Sequence, residues 1–134
     1  MPSLAKILLP VDFSGRCRGA ARYAEALGVR FNSEICLLHV LSSLHYEFSV
    51  LEVGGSVLNE LYAARTAQVR KNLESLLAEE LRHLRVRRVL LEGDPARKVV
   101  EYAHQEHVDL IVMPTRGHGP FRRFILGSVT AKVL

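Results

Sequence analysis

Two kinds of hydrophobic pattern alternate along this chain. Leu4 to Val11 is an apolar run broken only by Lys6 and Pro10, and Ile35-Cys36-Leu37-Leu38-His39-Val40-Leu41 is a second. Short runs of this kind fit strands buried on both faces, as in a parallel sheet. Val86 to Leu91 is a third run, and its Arg87 and Arg88 point to an edge position; Val108 to Met113 is a fourth. Between the runs the spacing changes to three and four. After Ser14, a good N-cap, Cys17, Ala20, Ala21, Ala24 and Leu27-Gly28 form a stripe of small residues that lets a helix lie close to a sheet, with Gly28 or Asn32 to end it. Residues 42–55 have no period and read as a loop. Leu58, Leu61, Tyr62, Val69, Leu73, Leu76, Leu77 and Leu81 predict one long helix from Ser56 to about His83. Gly93-Asp94-Pro95 predicts a turn that opens another, with Asp94 as cap and Pro95 at the first helical position. Pro114 to Pro120 is rich in turn residues, Phe124 to Leu126 is apolar, and Gly127-Ser128 predicts the start of a last helix through Leu134.

The expected fold is therefore α/β: a single domain over 1–134 with an open parallel sheet and helices on both faces. In such sheets ligands bind beyond the carboxyl ends of the strands, where the strand order reverses. That rule selects residues 10–14, 39–45, 91–95 and 113–128.

Composition narrows the function. With 134 residues, 49% of them apolar, a core forms without disulfides, and Cys17 and Cys36 read as reduced core residues. The net charge of +4 is spread over several helices. Residues 113–134 carry Arg116, Arg122, Arg123 and Lys132 without an acid, which is either a local anion site or a solvated face. No nucleic-acid motif accompanies it, so no nucleic acid is expected as a partner. No stretch approaches the roughly 18 apolar residues of a membrane span, and the first residues do not form a signal peptide. A cytoplasmic protein without membrane attachment is expected.

At the strand ends, Asp12 is placed to accept hydrogen bonds from a ribose hydroxyl pair, to cap the first helix, or to serve as a metal or phosphoacceptor carboxylate; further acids for a metal are sparse there. Met113-Pro114-Thr115-Arg116-Gly117-His118-Gly119-Pro120, with Gly127 and Ser128 later, offers glycines and free amides that favour anionic oxygens, or alternatively a tight turn and a helix cap. His118 either touches a phosphate or faces solvent. His39 reads as a satisfied polar residue near the sheet end. There is no G-x-x-x-x-G-K-[ST] loop, no G-x-G-x-x-G after the first strand, and no G-x-S-x-G elbow, so no catalytic residue is assigned.

The run Ile7-Leu8-Leu9-Pro10-Val11-Asp12-Phe13-Ser14, the ending Leu37-Leu38-His39-Val40, the Gly93-Asp94-Pro95 turn and Ile125-Leu126-Gly127-Ser128-Val129-Thr130-Ala131-Lys132-Val133-Leu134 together resemble the universal stress protein family. The resemblance covers essentially the whole chain. It implies the adenine-nucleotide alpha-hydrolase-like topology with strand order 3-2-1-4, the fifth strand being absent or beyond residue 134. It also implies an ATP-binding, regulatory stress-response protein with weak or no hydrolysis, working as a homodimer, with Mg2+ as an optional companion of the nucleotide. By resemblance Pro10, Asp12 and Val40 flank adenine and ribose, Met113 lies under the nucleoside, and Gly117, Gly127, Ser128, Val129 and Thr130 surround the phosphates. ATP-binding members carry the pattern G-x2-G-x9-G-[ST]; here its first glycine position is Pro114, which has no N–H and a fixed φ. That departure supports the alternative of a member that binds no ATP and acts through protein partners.

Overall fold

A computed structural model describes residues 4–41, 55–114 and 123–127. Its elements in chain order are β1 (Lys6–Pro10), α1 (Cys17–Phe31), β2 (Glu34–Leu41), α2 (Gly55–Ser75), β3 (Arg85–Glu92), α3 (Pro95–Gln105), β4 (Leu110–Pro114) and β5 (Arg123–Gly127). The strands form one sheet in the order β3-β2-β1-β4-β5. β1 pairs in parallel with both β2 and β4, and β2 pairs in parallel with β3. The expected parallel order 3-2-1-4 is present, and the Arg-rich β3 lies at the edge.

Alternation along the strands builds two cores. Ile7 and Leu9 of β1 and Ile35 and Leu37 of β2 pack with Cys17, Ala20, Ala21 and Ala24 of α1 and with Leu73 of α2. Leu8, Cys36, Leu38, Val40 and Ile111 turn to the other face, against Tyr102 and Ala103 of α3. Helices therefore cover both faces, and Cys17 and Cys36 are free and buried.

Asp94 caps α3, its Oδ2 accepting from the Arg97 amide at 3.0 Å with Pro95 in the first turn. Asp94→Ala should destabilise the protein by about 1 kcal/mol in urea unfolding, the ordinary value of an N-cap; an unchanged midpoint would contradict this.

Three expectations require correction. The first helix is not capped by Ser14: its N-cap is Arg16, with no side-chain hydrogen bond, and Asn32 in the left-handed region ends it. The long helix stops at Ser75 rather than near His83, because Leu77 takes φ 58°. That conformation disfavours a bulky residue, but it keeps Leu77 and Leu81 buried with Leu73 in the first core. A strand not expected from the sequence joins the sheet beside β4. Arg123–Gly127 supplies it, antiparallel to β4, with Pro114 opposite Arg123 and Leu110 opposite Gly127. Phe124-Ile125-Leu126 is a β-favouring triplet. The expected last helix lies outside the described residues.

Candidate functional site

β1 borders β2 on one side and β4 on the other, so the strand order reverses at β1. The crevice beyond its carboxyl end is the place where an open α/β sheet receives a ligand. The chain leaving β1 there is held tightly. The Val11 amide donates to the Leu38 carbonyl at 2.8 Å, and the Val11 carbonyl lies 2.7 Å from His39 Nδ1. A carbonyl only accepts, so Nδ1 carries the proton and a neutral His39 has its lone pair on Nε2. Phe13 then takes φ 64°, and its ring meets the His39 ring at 4.6 Å between centroids, tilted by 60°.

This turn presents Asp12. Its Oδ1 accepts from the Ser14 amide at 2.9 Å and from the Cys17 thiol at 3.4 Å, and its Oδ2 lies 3.6 Å from the Arg16 guanidinium. Partial burial works to raise its pKa, but the hydrogen bonds from Ser14 and Cys17 and the Arg16 charge outweigh it, so the carboxyl titrates below its ordinary range. About half of the side chain, 52%, stays exposed. The result is an oriented, ionised and half-exposed carboxylate just beyond the carboxyl end of β1. Burial raises the Cys17 thiol, with the adjacent Asp12 charge acting the same way, so Cys17 remains a protonated donor.

The other expected site residues divide into three groups. Pro10 ends β1 and is half-buried, Val40 is buried near the end of β2, and half-buried Met113 packs against the second core near the end of β4. These three and Asp12 share the carboxyl end of the sheet. Pro114 ends β4 there and pairs with Arg123. Gly127 is not brought to them: antiparallel pairing seats it opposite Leu110, at the amino end of β4. Gly117, His118, Ser128, Val129 and Thr130 lie outside the described residues. At the end of β3, Asp94 is taken up by capping α3, and among the described residues no three His, Cys, Asp or Glu side chains gather as a metal site. No helix among the described residues is long and apolar enough to cross a membrane. Sequence reading missed the Cys17 contact with Asp12 and the grip of His39 on Val11 and Phe13; a histidine inside an apolar strand was the available signal.

A sequence model of the universal stress protein family matches residues 4–134. The chain belongs to the universal stress protein family. It is similar to the universal stress protein MJ0531 of Methanocaldococcus jannaschii, at 30% identity over 96% of this chain and 75% of the relative. It is equally similar, at 30% over 96% of this chain and 87% of the relative, to MJ0577 of the same organism. The solved structure of MJ0577 superposes with a TM-score of 0.69 over 85% of this chain and 76% of that one. A universal stress protein solved in complex with cAMP shares the fold at a TM-score of 0.64 and 13% identity, over 89% of this chain and 79% of that one.

Proposed function

We propose that this universal stress protein binds ATP at the carboxyl end of its sheet and acts as a regulator rather than a turnover enzyme. The observation that carries the reading is Asp12: an ionised, oriented, half-exposed carboxylate at the strand-order reversal. A carboxylate offers about four acceptor sites, and hydrogen bonds within the protein occupy part of that capacity, leaving the rest for the two ribose hydroxyls. Half-buried Pro10 and Met113, at the same end of the sheet, would offer apolar surface to an adenine ring, with buried Val40 behind them. The residues present fit a nucleoside.

Pro114 and Arg123, which bound residues 115–122, are paired at the same end of the sheet. That stretch carries Arg116, Gly117, His118, Gly119 and Arg122. Bound ATP would bring its own charge and, with it, Mg2+. The place of Gly127 at the opposite end does not support the phosphate role that the family pattern gives to Gly127, Ser128, Val129 and Thr130. Ser128→Ala decides between the two arrangements. A loss of ATP affinity with adenosine unchanged follows from the family pattern, and no loss for either ligand follows from the β5 pairing.

Weak or absent hydrolysis is consistent with an Asp12 whose low pKa makes it a poor general base. Action in the cytoplasm as a homodimer belongs to the same reading and rests on the family resemblance. The test is calorimetry on protein stripped of co-purified nucleotide. The wild type should bind ATP in the micromolar range, and Pro114→Gly should change that affinity only a few-fold. Pro114 removes one amide from the loop entrance and leaves Asp12 untouched. Silence at millimolar ATP, with binding gained in Pro114→Gly, would assign the protein to the members that act through protein partners.

A further inference from the structure

We infer that His39 is the positioning residue of the Asp12 turn, gripping the chain on both sides of the carboxylate. On the side before Asp12, its Nδ1–H donates to the Val11 carbonyl at 2.7 Å. On the side after, its ring packs against Phe13 at 4.6 Å. Phe13 is held at φ 64°, a region that bulky residues avoid unless their surroundings impose it. The hydrogen bond that orients Asp12, from the Ser14 amide to Oδ1, closes across Phe13 as an Asx turn. If Phe13 relaxes to the right-handed or extended region, that amide swings away from the carboxylate. His39 is suited to the task because its backbone belongs to an interior strand, paired with Leu90 of β3. Nδ1 keeps its proton whether the imidazole is neutral or charged, so the grip on Val11 persists across the pH range in which Asp12 titrates. Any effect on ligand affinity rests on the nucleotide reading above; the effect on Asp12 itself does not.

The experiment compares His39→Ala, His39→Asn and His39→Gln by the NMR titration of the Asp12 carboxyl and by calorimetry with ATP and adenosine. In His39→Ala the Asp12 pKa should rise toward its ordinary value. Both ligands should weaken by the same factor, about tenfold, as expected for a misdirected hydrogen bond to a charged group. His39→Asn places an amide N–H where Nδ1 stood, so it should fall between wild type and His39→Ala, whereas His39→Gln should resemble His39→Ala. An Asp12 pKa unmoved in His39→Ala would overturn the inference, and so would Asn and Gln variants with the same Asp12 pKa. Should His39→Ala fail to fold, the Asn and Gln pair carries the same comparison. If the wild type binds no nucleotide, the ATP reading falls alone, because the Asp12 titration in these variants still decides the role of His39.

Discussion

Leu37→Ala and Leu38→Ala should each destabilise the protein by about 2–5 kcal/mol, although the two neighbours point to opposite faces of the sheet. Leu37 is 0% exposed in the core shared with α1 and α2, and Leu38 is 1% exposed in the core shared with α3. In a sheet with one wet face, one of two adjacent positions tolerates truncation. Here β2 is interior and covered on both sides, so each substitution loses buried apolar surface and leaves a cavity. Against a typical total stability of about 5–15 kcal/mol this is a large fraction, and the melting temperature should fall by roughly 10 °C. Urea unfolding of both variants beside wild type is the measurement. A cost below about 1 kcal/mol for either one would mean that its face is not packed as described.

Asp12→Ala should weaken ATP and adenosine by the same factor, about 10- to 150-fold, the value of a hydrogen bond to a charged group. The proposed partner is the ribose, which both ligands share, so phosphate number should not alter the loss. The pH dependence follows from the depressed pKa. Asp12 keeps its charge below the pH at which an ordinary aspartate becomes protonated, so its contribution should persist on acidification and fade only as pH falls through its lowered pKa. Calorimetry of the variant with both ligands, repeated at neutral and mildly acidic pH, tests both statements. Selective loss of ATP, with adenosine unaffected, would move Asp12 from the ribose to the phosphates.

The β1 part of the candidate site was legible in the sequence because strand ends are marked by composition. The apolar run ending at Val11 and followed by Asp12 located the carboxylate, and the Gly93-Asp94-Pro95 turn located a capped helix start. What the sequence did not reveal was how Asp12 is held. The sequence points to Ser14 as the cap of α1, yet its amide donates to Asp12 and no side chain caps the helix. Both readings place a hydroxyl residue just before a helix, and only the backbone path through Phe13 separates them.

The helix α2 shows a similar division. Leu73, Leu77 and Leu81 keep the spacing of a continuous helix, and all three are buried, but the chain leaves the helix after Ser75. A four-residue spacing of apolar side chains is compatible with a helix or with successive turns over the same sheet, and the sequence carries no Gly or Pro there to mark the change.

The α/β class, the parallel strands, the edge position of β3 and the two-faced core were all readable from the amino-acid sequence. Those features depend on local periodicity and on composition, which the chain carries residue by residue. Tertiary structure alone decided the antiparallel seat of β5 and the orientation of Asp12. β5 depends on its pairing with β4, because one apolar triplet suits a strand or a helix start equally well. The orientation of Asp12 depends on His39, which is 27 residues away in sequence and meets the Asp12 turn only because β2 lies beside β1.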